Sequence, residues 1–596
     1  MQKHTSVAPV LANSPAAANA SGPDTHFSKR SAWLLWGGLL IVLAGALLAH
    51  FIQTAGGVRI QDVRFTGADG TPMSAHLYIP ASATSKTPAP GILAVHGYFN
   101  SREAQSGFAI EFARRGYVVL ALDQTGHGYS APPAFANAFG GIDGLKYLRS
   151  LDFVDKDNIG LEGHSMGGWT VVNAAAAMPD AYRALVLEGS STGAPFAPEG
   201  TPDFPRNLAV VFSQYDEFPG IMWQIGAAKD VASSKKLWSV FSTDAPVETG
   251  KVYGDIEGGT ARILHTPAIT HPMDHISPTA IGHAIDWFQK TLKGGNPRPA
   301  DDQVWHWKET GTAIALIGLV AFALGLFATL LRLPYFQSLC TPAVAEAPAQ
   351  ARDGKWWATV IASALVPALT FLPLCRLGGD LLPASTLLPS LFVNEIAFWA
   401  LGNALIALIV LRVVGTKVLQ GFDQIARSAV IALITFGVTY SLVAAVQFFL
   451  TVDMRFWFMA FKPMSAWQAS AFPVYLLVFA VFFAVLFRAH FAMLGQRVSG
   501  AVGLYGLSVA TFAGGFVLFL GVEYGSLLLG HKLIEFHMFD PLRIIIAINF
   551  VPVMAAVAIA GVFIYRRTAR VLPAAFLCAL FVTWYMVVGQ AMQSAP

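Results

Sequence analysis

The spacing of apolar and polar positions divides the chain into two regimes. Between residues 58 and 310, short apolar runs alternate with polar and amphipathic stretches. Val58–Phe65 and Met73–Ile79 read as a hairpin around the turn GADGTP. Pro90–Val95 and Tyr117–Asp123 read as buried strands. Ala104–Arg115 carries the period of an amphipathic helix, and a further helix is expected over 139–151. Ile159–Glu162, Arg183–Leu187, Leu208–Phe212 and Ala261–Leu264 continue the strand series. Helices follow Ser165 as far as Met178 and close the region over Pro278–Leu292. Strands that alternate with helices predict an α/β fold with a mostly parallel, doubly wound sheet covered on both faces.

Beyond about residue 311 the pattern changes. Charges gather in short clusters between apolar runs of roughly 20 residues, the length that crosses a bilayer core as helix. Candidate spans are 311–331, 356–375, 391–413, 428–450, 470–487, 501–521, 543–565 and 571–590, an all-α transmembrane bundle of about eight helices over 311–590. An earlier run, Ala32–Ile52, follows Lys29 and Arg30 and reads as an uncleaved anchor over 31–52 rather than a signal peptide. It brings the expected spans to nine. Residues 1–30, rich in Ala, Ser, Pro and Asn, read as a disordered cytoplasmic tail. The composition agrees: 54% of the 596 residues are hydrophobic and 13% charged, against about 25% charged in a soluble chain.

Charge sets the expected orientation. With spans alternating from an inner N-terminus, the inner loops receive Lys3, Lys29, Arg30, Arg332, Arg352, Lys355, Arg412, Lys417, Arg427, Arg488, Arg497, Arg566, Arg567 and Arg570. The outer segments receive Lys308, Arg376, Arg455, Lys462, Lys532 and Arg543, so the inner side leads by more than two to one. This predicts a multi-pass membrane protein with residues 58–295 on the extracytoplasmic side. The net charge of +3 and the lack of a basic stripe argue against nucleic acid as a partner. Cys340, Cys375 and Cys578 lie in or beside the expected spans and form no zinc-ligand spacing.

The strongest chemical signal is Gly163-His164-Ser165-Met166-Gly167-Gly168, which follows an apolar strand and opens a helix. A G-x-S-x-G turn in that setting presents a serine hydroxyl above a sheet, and the helix N-terminus behind it favours a developing anion. With its flanks, Asp155 to Gly168, this segment resembles the α/β-hydrolases, in particular the dienelactone-hydrolase and cinnamoyl-esterase branch. His96-Gly97-Tyr98 and the run Asp123 to Ser130 carry the same resemblance, which covers about residues 58–295.

The resemblance implies Ser165 as nucleophile, with the backbone N–H groups of Tyr98 and Met166 as the oxyanion hole. It implies Asp216, after the strand Leu208–Phe212, as the acid, with Glu217 as the alternative. The base must come last in the chain. The ending Asp274-His275-Ile276-Ser277 resembles the esterase branch and implies His275, with His271 as the alternative base; His265 reads as structural. His96, His127 and His164 read as loop-shaping residues. Two long connections, Gly189–Asn207 and Phe218–Thr260, read either as a lid or as an ordinary sheet-covering helix with a surface loop. The second contains a helical stretch over Ile225–Phe241.

In the expected spans, Asn394, Glu395, Asn403, Gln447, Glu523 and Asn549 are polar. They mark either helix–helix hydrogen bonds or a lipid or substrate path toward the hydrolase. Arg455–Pro463 is expected to lie flat at the outer surface. The reading that results is an extracytoplasmic carboxylic-ester hydrolase using an acyl-serine intermediate, with no metal or organic cofactor. Its expected partners are a small-molecule or lipid ester and membrane lipids. A membrane acyltransferase, a serine peptidase, and a transporter or sensor with a hydrolase-like binding domain stand as alternatives.

Overall fold

The computed structural model describes residues 25–99, 101–340, 352–413, 422–494, 497–498 and 500–596. Residues 1–24 of the tail expected over 1–30 and Lys417 lie outside the described residues, while residues 25–30 are helical and open the first helix instead of belonging to a disordered tail.

After helix α1 (Thr25–Gln53) the chain builds an eight-stranded sheet. Its strands are β1 (Arg59–Thr66), β2 (Pro72–Ile79), β3 (Ala89–Val95), β4 (Val118–Asp123), β5 (Val154–His164), β6 (Ala184–Glu188), β7 (Leu208–Val211) and β8 (Arg262–His265). The spatial order is β1-β2-β4-β3-β5-β6-β7-β8. Only β1 and β2 run antiparallel to their neighbours; β4 through β8 are parallel. Helices α2 (Ser106–Arg114) and α7 (Pro278–Thr291) cover one face, while α3 (Gly141–Ser150) and α4 (Met166–Ala177) cover the other.

The two faces follow from the two-residue period of a strand. Leu93 and Val95 enter one core with Leu120, Leu161 and Val210. Ile92 and Ala94 enter the other with Val119, Ala209 and the aromatic side chains Phe108, Phe112, Trp287 and Phe288. Small sheet residues on that second face leave room for the rings: a β-carbon on Gly160 would lie 2.6 Å from Phe288. Between β7 and β8, α5 (Pro219–Trp223) and α6 (Lys235–Phe241) seat Met222, Trp223, Leu237 and Phe241 on the first core.

The rest of the chain is helical: α8 (Trp305–Leu330), α9 (Gly354–Leu369), α10 (Phe371–Leu381), α11 (Leu391–Val413), α12 (Ile425–Leu450), α13 (Ala466–Leu494), α14 (Ala501–Gly530), α15 (Asp540–Thr568) and α16 (Leu572–Gly589). A hairpin of β9 (Met454–Phe456) and β10 (Met459–Phe461) links α12 to α13, so Arg455–Pro463 is a folded ribbon and not a flat surface segment. Among the described residues eight helices are long and apolar enough to cross a membrane. The count is nine if α9 and α10, bent by 44°, form one span. Pro367 lies near the break. The protein is a membrane protein by this content of apolar helices.

Helix α1 packs along α8 through glycines spaced seven apart. A β-carbon on Gly45 would lie 2.4 Å from Gly311 O, and one on Gly318 would lie 2.6 Å from Val42 N. Such backbone proximity is how helices associate in lipid, where apolar burial gives no drive.

Alternate helix ends meet the sheet domain. Gln53, Trp305, Phe392, the β9–β10 hairpin, the α14–α15 connection and the segment after α16 all lie on this side. The opposite ends bond to each other: Arg570 pairs with Asp423 and donates to Leu339 O, Arg352 donates to Arg497 O, and Trp356 to Met493 O. Helices α9 and α10 run from that far end to the near end, where Asn394 donates to Leu382 O.

The interface between the halves includes buried polar contacts. Lys462 Nζ lies 3.0 Å from Glu103 and also bonds Ser101, Lys308 donates to Ser106 Oγ (2.9 Å), and Tyr129 donates to Pro463 O (2.8 Å).

Candidate active site

β5 delivers Ser165 at its C-terminal end, and α4 begins at Met166. Ser165 has φ 54° and ψ −122°, a backbone conformation that L-residues rarely adopt. The surrounding contacts hold it there. Its N–H donates to Glu188 O (2.9 Å), and its carbonyl accepts from Gly168 N–H (2.9 Å) and the Ser190 hydroxyl (2.7 Å). The motif glycines are needed for close approach: a β-carbon on Gly163 would lie 2.2 Å from Gly167 O, and one on Gly167 2.1 Å from Val95 O.

Asp216 and His271 meet because of strand register. β7 and β8 pair in parallel with Val211 opposite His265. The pairing resumes beyond the strands, where Tyr215 bridges Thr270. The next residues along, Asp216 and His271, then lie side by side, and His271 Nδ1 donates to Asp216 Oδ2 at 2.7 Å. Asp216 also accepts from Phe218 N–H (2.7 Å). The histidine paired with Asp216 is therefore His271 and not His275. A short 3₁₀ helix over His271–Ile276 carries His275 away from Asp216 and sets it against His164, with ring centroids 4.0 Å apart and planes tilted by 52°. Both rings still line the cavity that holds Ser165, and His275 Nδ1 is buried without a partner among the described residues.

Glu217 does not contact the imidazole. Its Oε2 accepts the His271 backbone N–H (2.8 Å), and its Oε1 accepts the hydroxyl of Tyr524 on α14 (2.9 Å). The loop after β3 stands beside Ser165: a β-carbon on Gly97 would lie 3.1 Å from Ser165 Cβ. The Tyr98 and Met166 backbone N–H groups have no hydrogen-bond partner among the described residues. His127 braces this loop with its ring nitrogens 2.7 Å from Tyr98 O and 3.0 Å from Thr125 O. His96 does so with Nδ1 2.6 Å from Gly97 O. Gln593, after α16, donates to the Tyr98 hydroxyl.

Burial sets the protonation of these groups. Desolvation lowers the pKa of His271 to about 4, with Asp274 opposing it. It also holds the His275 imidazole well below its ordinary value, helped by the neighbouring His164. Burial raises the carboxyls of Asp216 and Glu217, and Asp274 and Asp216 respectively add to the effect. At neutral pH His271 is thus an uncharged imidazole with Nδ1 committed to Asp216 and Nε2 able to take a proton.

His164, His271 and Asp274 have ligand atoms within 4.8 Å of one another and form the one cluster among the described residues with metal-ligand spacing. His271 Nδ1 is taken by Asp216, whereas His164 Nδ1 and Asp274 Oδ2 are buried with no hydrogen-bond partner among the described residues. His164 Nε2 lies 3.0 Å from His271 O, and Asp274 Oδ1 accepts from Ser213 (2.6 Å). The group braces the His271 backbone.

The roof of the site was not legible in the sequence. A cavity of about 40 Å³ is lined by Ser165, His271 and His275 on one side, and by Phe458, Leu542 and Ile545 on the other. No residue of 189–207 or 218–260 lines it, so those segments cover the sheet and the helical bundle covers the site. Among the polar residues of the spans, Glu395 pairs with Arg543 (2.7 Å), Asn394 with Tyr475 (2.7 Å), and Asn403 with Thr370 (3.1 Å). Glu523 accepts from Ile534 N–H (2.9 Å), and Gln447 reaches Tyr129 (3.4 Å). Asn549 lines a cavity.

Comparison with known proteins adds to this picture. Residues 90–220 match the model of the alpha/beta hydrolase fold. A 2-hydroxy-6-oxononadienedioate/2-hydroxy-6-oxononatrienedioate hydrolase of Cupriavidus pinatubonensis is 38% identical over 88 residues, 14% of this chain and 30% of that protein. A putative non-heme haloperoxidase of Mycobacterium phage D29 is 32% identical over 111 residues, 19% of this chain and 39% of that one. The chain thus spans well under half the length of these relatives. Among solved structures, an esterase of Pyrococcus furiosus aligns with 40% of this chain and 94% of its own, at 17% identity and a TM-score of 0.29. Sheet order, the strand–Ser165–helix turn and the family match together give one result: the chain carries an α/β-hydrolase domain, joined to a domain of long apolar helices.

Proposed function

We propose that this protein is a membrane-embedded serine hydrolase that cleaves carboxylic esters. One observation carries the reading: Ser165, held at positive φ, and His271, bonded to Asp216 at 2.7 Å, line one cavity. His271 Nε2 takes the Ser165 proton as Oγ attacks the ester carbonyl. Asp216 orients the imidazole and stabilises its cation. The Tyr98 and Met166 N–H groups hold the oxyanion. The ester C–O bond breaks, the alcohol leaves with the proton from His271, and an acyl-serine remains. A water deprotonated by His271 then attacks the acyl carbon, releases the acid and restores Ser165. In this reading His271 takes the role that the sequence motif had suggested for His275.

The hydrolase domain is extracytoplasmic in this proposal. Alternation of the helix ends supports nine crossings, with α9 and α10 as one bent span. The Lys and Arg excess at the far ends supports a cytoplasmic position for them. Tight packing of α1 on α8 supports an anchor that stays attached.

The test is labelling with a fluorophosphonate probe, followed by a p-nitrophenyl ester series from acetate to palmitate in detergent. Wild type should label and Ser165→Ala should not; equal labelling of both would defeat the nucleophile assignment. Inertness toward every ester, with transfer to an added alcohol or glycan acceptor, would make the protein an acyltransferase.

A further inference from the structure

The Ser165 cavity, at about 40 Å³, holds water but no acyl chain. It does not end there. Phe99 and Phe458 form its wall toward the bundle, and the same two rings line a second cavity of about 40 Å³ among Ile546, Phe550 and Met586. That second cavity shares Val553, Val582 and Tyr585 with a third, of about 350 Å³, between α8, α15 and α16. The third has the volume of a ligand site. Its lining is apolar apart from Cys578 and the ring of Tyr585. Its outer wall includes Ile317 and Val320 of α8, exposed on the flank of the bundle at 67% and 37%. Three cavities thus run in series from Ser165 to the flank of the helical bundle, each sharing lining residues with the next.

We propose that this series is the acyl-chain site, and that the substrate is a long-chain acyl ester drawn laterally from the bilayer. The inference rests on the serine-hydrolase reading above and names the substrate class for it. Its logic is one of solvent. A long alkyl chain in a bilayer loses nothing by moving into an apolar cavity among membrane helices, but would pay the cost of exposing every methylene on passing through water. A hydrolase whose site is roofed by Phe458, Leu542 and Ile545 gains such a chain from the roof side. Phe99 and Phe458 then act as the constriction through which only the extended chain passes, which leaves the carbonyl at Ser165 Oγ. A larger cavity of about 590 Å³ also borders the second one, at Trp399, Phe482 and Met554. It contains Asn403, His490 and Arg497 and extends to the far end of the bundle, so its polarity suits an alkyl chain less well.

The test uses the full wild-type chain in lipid nanodiscs and a palmityl fluorophosphonate with a diazirine at the chain end. Labelling of Ser165 reports the hydrolase reading by itself; without it, that reading fails and the inference with it. Given labelling, irradiation should cross-link the chain to α8, α15 or α16, around Leu316, Val553 and Val582. Cross-links in 189–207 or 218–260, or in α9 and α13, would overturn the proposal while leaving the hydrolase standing. As a second measurement, Val553→Trp should lower the ratio of palmitate to acetate ester hydrolysis by about tenfold or more. An unchanged ratio would overturn the assignment of the chain site.

Discussion

Tyr524, in a membrane helix, donates its hydroxyl to Glu217 of the hydrolase domain across 2.9 Å, and the other oxygen of that carboxylate holds the His271 backbone N–H at 2.8 Å. One buried carboxyl thereby ties α14 to the loop that carries the candidate base. Burial pushes the Glu217 carboxyl well above its usual range, so each hydrogen bond it receives matters for its placement. Tyr524→Phe keeps the ring and removes one donor, at a cost of about 1–2 kcal/mol. The expected result is a kcat on a short ester lowered about fivefold to thirtyfold, with KM nearly unchanged. Tyr524 acts by positioning His271. A kcat equal to that of wild type would show that the bond has no bearing on the loop.

The pairing of Asp216 with His271 predicts an unequal outcome for the two cavity histidines. His271→Ala should lower kcat by about 10⁴-fold or more, as should Ser165→Ala. His275→Ala removes a ring whose Nδ1 has no partner among the described residues, and its loss should stay within about tenfold. The reverse order would restore His275 as base and would require the 3₁₀ turn to rearrange in solution.

Why the sequence pointed to His275 is a matter of register. The ending Asp274-His275-Ile276-Ser277 is a local signal, whereas the position opposite Asp216 depends on how β7 and β8 pair and on the bridge between Tyr215 and Thr270. Pairing between strands that lie 50 residues apart in the chain leaves no trace in either strand alone. The turn at Ser165 was legible because its cause is local: glycines at 163 and 167 flank a serine between a strand and a helix. The fold class was legible for the same reason, since alternating short apolar runs and amphipathic stretches encode a parallel sheet. Most spans were also read from their apolar length, but the break between α9 and α10 was not. The roof was hidden altogether. Phe458, Leu542 and Ile545 look like ordinary apolar residues near helix ends, and only the docking of bundle on sheet turns them into walls of the site.

Gly189 offers a test of how tightly the proposed base is held. It has φ +52°, and a β-carbon there would lie 2.8 Å from both Asp274 Oδ2 and His271 Nδ1. Gly189→Ala therefore carries a left-handed backbone cost of about 1–2 kcal/mol. It also presses on the imidazole, which should lower kcat by about tenfold or more. Gly250→Ala is the control. Gly250 also has positive φ (+79°) but nothing lies within 4 Å of its β-carbon, so stability alone should fall. Equal activity in the two variants, measured at matched folded fractions, would show that His271 tolerates displacement.

The pH profile follows from the burial of His271. A protonated imidazole cannot accept the Ser165 proton, so activity is present above the pKa of His271 and is lost as pH falls through it. Desolvation among Phe218, His164 and the roof lowers that pKa to about 4, and Asp274 only partly restores it. The acid limb of kcat/KM on a short ester should therefore lie near pH 4, well below the value of about 6.5 for an exposed histidine. Stability moves in the same direction over a wider window. The unfolded chain takes up a proton at this histidine below about pH 6.5 while the folded chain does not, so its contribution to stability declines from there to about pH 4. Thermal melts at each pH separate the two effects, since loss of activity with the melt still well above the assay temperature reports titration of the site. A limb near pH 6.5 in folded protein would mean that water reaches His271 in the working enzyme, and that the bundle does not seal the site as closely as Phe458, Leu542 and Ile545 are placed to do.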